Sequence, residues 1–152
     1  MKIYIDTSVI NGLYADDAPH IQEATKIFFS KFRKHSLSLY ISDLVIAEIK
    51  QTTDHNKLKL LLKVVSKKKF RQIHVNSEVE SLAQIYVEKG IVPQRYSSDA
   101  SHIALATIYK IPVIVSWNFK HLVKHETRVQ VNKVNKELDL FEIDICSPEE
   151  VA

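Results

Sequence analysis

Short apolar runs that break off at polar side chains recur along this chain, and they constrain its fold more than any other feature. The first, Lys2-Ile3-Tyr4-Ile5, stops at Asp6-Thr7-Ser8, and a later one, Val113-Ile114-Val115 behind Pro112, stops at Ser116-Trp117-Asn118. Both favour β structure without polar alternation, the pattern of strands buried on both faces. If the sheet is open and parallel, these polar endings lie at strand carboxyl ends, where α/β sheets gather their ligands. Asp6 is therefore the first candidate site residue.

Helical periodicities separate the strands. Residues 18–35 carry Ile21, Ala24, Thr25, Ile27, Phe28 and Phe32 at spacings near three and four, the stripe of an amphipathic helix. Leu37-Ser38-Leu39-Tyr40-Ile41 alternates as a strand, and Ser42 suits the N-cap of a helix starting at Asp43. At about 100° per residue, Glu48 falls between Leu44 and Val45 inside the apolar stripe, where a carboxylate needs a partner. Residues 54–66 place Leu58, Leu61, Leu62 and Val65 on one helix face, with Lys59 and Lys63 on the other. A third strand is expected over 70–75. Ser77, Glu78 and Glu80 open a helix that Gly90 stops, and Ser97-Ser98-Asp99 opens the next, running to Lys110. Residues 119–137 lack a clear period and are expected to be a helical turn followed by irregular or partly helical chain. Leu140-Phe141-Glu142-Ile143 is the last expected strand. This alternation implies one α/β domain spanning residues 1–152, a sandwich around a mainly parallel sheet of about five strands.

Composition removes several classes of function. With only Gly12 and Gly90, neither a Walker phosphate loop nor a G-x-G-x-x-G turn can form. Cys146 alone supports neither an internal disulfide nor a thiolate zinc cluster. No apolar run reaches membrane-spanning length and Lys2 leads directly into a strand, so a soluble, cytoplasmic protein is expected. The net charge of +3 is too small to mark a nucleic-acid binder. Residues 55–77, however, contain no acid and include Lys57, Lys59, Lys63, Lys67, Lys68, Lys69 and Arg71. That run is either a solvated face with a basic loop or a contact for a phosphate backbone.

Right-handed crossovers bring helix starts to the same sheet edge as strand ends. Asp6, Glu48, Asp99 and Asn118 then share one edge. Three carboxylates packed together repel unless one is protonated or a cation compensates, and oxygen ligands favour Mg²⁺ or Mn²⁺ over zinc. A hard divalent ion there suits phosphodiester hydrolysis. His102, three residues after Asp99, is placed to orient a carboxylate or meet a substrate phosphate. Each residue also has an ordinary structural reading: a turn or cap for Asp6, helix-dipole stabilisation for Asp99, a lysine partner for Glu48, core packing for His102 and Trp117, and capping for Ser8 and Asn11. Convergence is what favours chemistry.

In order and spacing, Ile5-Asp6-Thr7-Ser8, the Ser42-to-Glu48 stretch, Asp99-Ala100-Ser101-His102-Ile103-Ala104 and Val115-Ser116-Trp117-Asn118 resemble a PIN domain, in particular the VapC-type toxins of toxin–antitoxin pairs. The resemblance spans nearly the whole chain. It implies a three-layer α/β/α fold, Mg²⁺- or Mn²⁺-dependent ribonuclease activity, frequent homodimerisation and inhibition by a small antitoxin. By position, Asp6, Glu48 and Asp99 would be the metal-site acids, Ser8 the polar residue beside the first, and His102 a polar position of the acidic helix. Asn118 departs from the pattern, standing where many members carry a fourth aspartate; an amide keeps an oxygen ligand but weakens attraction for a second cation. Lys67, Lys68, Lys69, Arg71 and Lys120, with His121 and Lys124 at the site edge, are the expected RNA contacts. Phe28, Phe29 and Phe32 are the expected apolar patch for a second copy or an antitoxin helix. Two rivals remain: a PIN-like RNA-binding or interaction module without catalysis, and phosphoryl transfer through Asp6. Ser8 stands against the second, since haloacid-dehalogenase-type phosphatases usually carry a second aspartate at that position.

Overall fold

The structure, a computed structural model, describes residues 1–34 and 38–151, the side chains of residues 32–34 excepted. Five strands form one sheet in the order β3-β2-β1-β4-β5: β1 (Lys2–Ile5), β2 (Ser38–Ser42), β3 (Arg71–Ile73), β4 (Val113–Val115) and β5 (Asp144–Cys146). Every pairing is parallel. Ile3, Tyr4 and Ile5 are wholly buried, which explains why β1 shows no polar alternation. From β1 the chain steps outward through β2 to β3, then returns to the other side of β1 for β4 and β5. The order therefore reverses between β1 and β4, and their carboxyl ends flank the crevice where such sheets hold ligands.

The helices are α1 (Thr7–Gly12), α2 (Pro19–Lys34), α3 (Asp43–Ile49), α4 (His55–Lys67), α5 (Ser77–Glu88), α6 (Ser97–Ile108), α7 (His125–Glu137) and α8 (Pro148–Val151). α1 packs on α2, α3 and α4, and α2 on α8. α5 packs on α6, and α7 joins that pair through Asn135, whose amide accepts from Tyr86 Oη at 2.6 Å and donates to Thr107 Oγ1 at 3.2 Å. Right-handed crossovers place these two sets on opposite faces of the sheet, giving the three layers. α6 buries Ala100 and every residue from His102 to Thr107, so it lacks a polar face because the sheet and α5 enclose it.

Four expectations change. The last strand lies over Asp144–Cys146 instead of 140–143, because Asn132 of α7 takes both backbone groups of Ile143 (2.7 and 2.9 Å) and Asn135 takes the Phe141 carbonyl. Pairing with β4 begins only at Asp144. Residues 125–137 are one regular helix; its inward positions Thr127, Val131, Val134 and Asn135 have helical spacing, but two are polar and dilute the stripe. β3 is shorter than 70–75, since Tyr109 Oη holds both backbone groups of His74 and Asp43 accepts the Val75 N–H. Phe28 and Phe29 are core residues, with Phe29 meeting Phe70 edge-on at 6.4 Å, so among the described side chains of α2 the exposed large apolar one is Ile27. The Phe32 side chain and Leu37 lie outside the described residues.

Candidate metal site at the carboxyl edge

Asp6 follows the last residue of β1 and occupies the N-cap position of α1, yet its side chain makes no capping bond. It is buried and accepts from two hydroxyls, Ser8 Oγ to Oδ1 and Ser116 Oγ to Oδ2, each at 2.5 Å. Both serines are set by the turn after β4: Ser8 Oγ accepts the Trp117 N–H and Ser116 Oγ the Asn118 N–H, each at 2.9 Å. Trp117 is in turn tied by its indole N–H to Thr25 Oγ1 at 2.9 Å. That tie passes over Gly12, where a Cβ would stand 2.6 Å from Thr25 Oγ1 and 3.0 Å from the indole nitrogen. Burial pushes the Asp6 carboxyl above its ordinary range, only partly offset by His102 and by the Ser116 and Ser8 hydroxyls. The two hydroxyls bonded to it are neutral, so burial disfavours its charged form.

Glu48 comes from α3, whose start is fixed by Ser42 accepting the Val45 N–H. Its Oε1 accepts from Thr7 Oγ1 and lies against His102 Nε2, both at 2.6 Å. Burial alone would raise its pKa; the bond and charge of His102, with Thr7, outweigh that and lower it. Behind the imidazole a buried chain runs into the sheet, from His102 Nδ1 to Tyr4 Oη at 2.6 Å and from Tyr4 Oη to Ser42 Oγ at 2.8 Å. With a neutral ring, every hydrogen finds an acceptor: Ser42 to Tyr4, Tyr4 to Nδ1, Nε2–H to Glu48. Burial works against charge on His102, but Glu48, then Asp6 and Asp99, raise its pKa overall. One buried imidazole thus feels all three acids.

Asp99 stands in the first turn of α6, where its Oδ2 meets His121 Nδ1 at 3.0 Å and Asn118 Nδ2 at 3.2 Å. Asn118 does not present its oxygen to the acids. Oδ1 accepts the backbone N–H groups of Lys120 and His121 at 3.1 and 2.9 Å, which leaves the amide hydrogens for Asp99. The same turn brings in His121, expected at the site edge as a backbone contact and found paired with Asp99. Nothing in the sequence spacing of residues 99 and 121 foretells that pairing.

With the side chains in these positions, no three His, Cys, Asp or Glu residues among the described ones gather as a metal cage. The donor set nevertheless fits a hard divalent ion: a buried, incompletely neutralised Asp6, and second oxygens on Glu48 and Asp99 outside the imidazole contacts. Of the expected RNA contacts, Lys120 adjoins this edge, whereas Lys67, Lys68, Lys69 and Arg71 lie at the end of α4 and the start of β3. Arg71 is in register with Tyr40 and hence Tyr4, below the level of Asp6, and Lys68 sits over the Phe29 ring at 4.6 Å. The basic run therefore lies behind the carboxyl edge.

Comparison with known proteins agrees with this architecture. The family model described as PIN domain matches residues 3–124. No curated protein matches the chain significantly. Among solved structures, the chain is similar to VapBC2 from Rickettsia felis bound to a promoter DNA fragment (TM-score 0.58, 12% identity, covering 97% of this chain and 98% of that one). It is also similar to VapC20 from Mycobacterium tuberculosis, a sarcin–ricin loop cleaving toxin (TM-score 0.62, 16% identity, covering 78% and 92%). At these identities the likeness concerns the fold. No described helix is long and apolar enough to cross a membrane.

Proposed function

This chain belongs to the PIN domain family, and from that premise we propose that it is a Mg²⁺- or Mn²⁺-dependent endoribonuclease, the toxin of a toxin–antitoxin pair. The observation that carries the reading is Asp6: a buried carboxylate at the switch point of the sheet, held by Ser8 and Ser116, with Glu48 and Asp99 acting on the same buried His102. Similarity to VapBC2 and to the RNA-cleaving VapC20 supports the toxin assignment, an antitoxin partner and RNA as substrate. Homodimerisation and a cytoplasmic location belong to the same proposal.

Asp6, Glu48 and Asp99 are the residues that would hold the ion. When bound, it would polarise the phosphodiester and lower the pKa of an attacking water. The protein's own part is positional. Ser8 and Ser116 fix both oxygens of Asp6, His102 and Thr7 aim Glu48, and Asn118 with His121 aims Asp99. Asn118 supports the site through Asp99, so a single tightly held ion, with a second arriving alongside RNA, suits this donor set better than a resident pair. Cleavage of RNA with Mg²⁺ or Mn²⁺ by wild type and Asp6→Asn tests the reading: the variant is expected to lose activity by about 100-fold or more, the scale of removing one charge-stabilising group. Equal cleavage by both would sink the site assignment.

The inward amide of Asn118 favours one alternative, an RNA-binding or interaction module without catalysis. Calorimetry that detects no Mg²⁺ or Mn²⁺ at millimolar concentration, with RNA present, selects that reading.

A further inference from the structure

Next to the acidic site lies a groove of about 340 Å³ whose walls include Ile91, Pro93, Lys120, His121 and Lys124. It shares one wall with the site, since His121 lines it while Nδ1 of the same ring is bound to Asp99. The His121 and Tyr96 rings lie 4.3 Å apart, tilted by 38°. Two cations converge on Tyr96, with Arg95 Cζ 5.3 Å and Lys120 Nζ 5.8 Å from the ring centroid. Among the described residues, neither Arg95, Lys120 nor Lys124 is paired with a carboxylate. Like charges gathered round one half-buried aromatic pair repel one another, and an anionic ligand with a flat apolar face would relieve that repulsion.

We propose that this groove is the slot for the nucleotide adjoining the cleaved phosphodiester on the Asp99 side, its base stacking on the Tyr96–His121 pair and its phosphate lying between Lys120 and Lys124. The proposal rests on the ribonuclease reading and adds the substrate's placement to it. Single-stranded RNA has both required parts, an unstacked base for the rings and a phosphate for the lysines. A second groove shares Ile91 and Gln130 with the first and adds Lys89 and Lys133, so the strand continues along α7. The basic run from Lys67 to Arg71 lies off this track.

The test is binding of a labelled single-stranded RNA decamer in EDTA, followed by fluorescence anisotropy at several salt concentrations, with Mn²⁺-dependent cleavage measured in parallel. Tyr96→Ala is expected to weaken binding about fivefold or more, while Tyr96→Trp keeps it, because any aromatic face accepts a base. Lys120→Ala combined with Lys124→Ala is expected to reduce the slope of log affinity against log salt by about 0.7, the amount for one phosphate on a single strand. Both lysines are exposed, so this variant reports independently of Tyr96 packing. Lys69→Ala with Arg71→Ala should leave affinity within about twofold. If affinity follows the Lys69/Arg71 pair and ignores Tyr96 and Lys120/Lys124, the slot is overturned while wild-type cleavage keeps the ribonuclease reading intact. A wild type that neither binds nor cleaves removes both.

Discussion

Two acid–imidazole pairs face this site, and what stands behind each histidine separates them. His102 and Glu48 meet at 2.6 Å and His121 and Asp99 at 3.0 Å. The far nitrogen of His102 is locked by Tyr4 and Ser42 inside the sheet, with the imidazole side chain 3% exposed. His121 rests on the surface ring of Tyr96 and on a turn made by Asn118. The first histidine is anchored in the sheet through its far nitrogen, and altering it disturbs the fold; the second pair is also largely buried, at 11% and 16% side-chain exposure, but among the described residues no bond backs the far nitrogen of its imidazole.

Truncating each histidine is the strongest way to break the comparison. His102→Ala leaves Glu48 and the buried Tyr4 hydroxyl each short of a partner and opens a cavity, and should cost about 3 kcal/mol in chemical denaturation. His121→Ala should cost less, about 1–2 kcal/mol, as expected for the loss of one part-buried hydrogen bond with no second anchor behind the ring. Equal losses would erase the distinction.

The pH dependence of stability sharpens it. Folding raises the His102 pKa, so its contribution is complete below the ordinary histidine value near 6.5 and is lost as pH rises through the raised folded value. Glu48, lowered by folding, contributes above its ordinary value and loses that contribution as pH falls through the lowered one. Asp6 shifts upward, and the folded state loses stability as pH rises through its raised folded value. Thermal melts across pH should thus show a decline on the alkaline side of 6.5 in wild type and in His121→Ala, and a flattened one in His102→Ala.

Smaller effects test the parts. Tyr4→Phe removes the hydroxyl between Ser42 and His102 and should cost about 1–2 kcal/mol, with Mn²⁺ affinity falling as Glu48 loosens. Asn118→Asp preserves the acceptor for the Lys120 and His121 N–H groups but places a carboxylate beside Asp99. Without metal it should destabilise by about 1 kcal/mol, and it should show a larger rise in melting temperature with Mn²⁺ than wild type. A variant unresponsive to Mn²⁺ would mean that the Asn118 position lies off the ion's path.

Much of the fold was legible because its signals are local. β1 and β4 announce themselves as unbroken apolar runs, Ser42 caps α3 as its side chain and position suggest, and Asp99 falls in the first turn of α6. The two failures around α7 and β5 share one cause. α7 buries Thr127 and Asn135, and the chain before β5 satisfies its backbone through Asn132 and Asn135 instead of a neighbouring strand. Hydrophobic periodicity cannot register a polar side chain that is buried by hydrogen bonds to backbone groups and other side chains.

The sequence by itself placed Asp6 and Asp99 at one sheet edge, because strand ends and helix starts share that edge in a right-handed parallel α/β fold, and it aimed Glu48 inward through its place in the apolar stripe of α3. Tertiary structure alone decided which atoms they meet there. His102 reaches back to Tyr4 across 98 residues, Ser116 to Asp6 across 110, and the Asn118 amide turns its hydrogens toward Asp99 because nearby backbone N–H groups claim its oxygen. Such partnerships are set by packing and hydrogen-bond satisfaction in a closed space, and residue spacing carries no record of them.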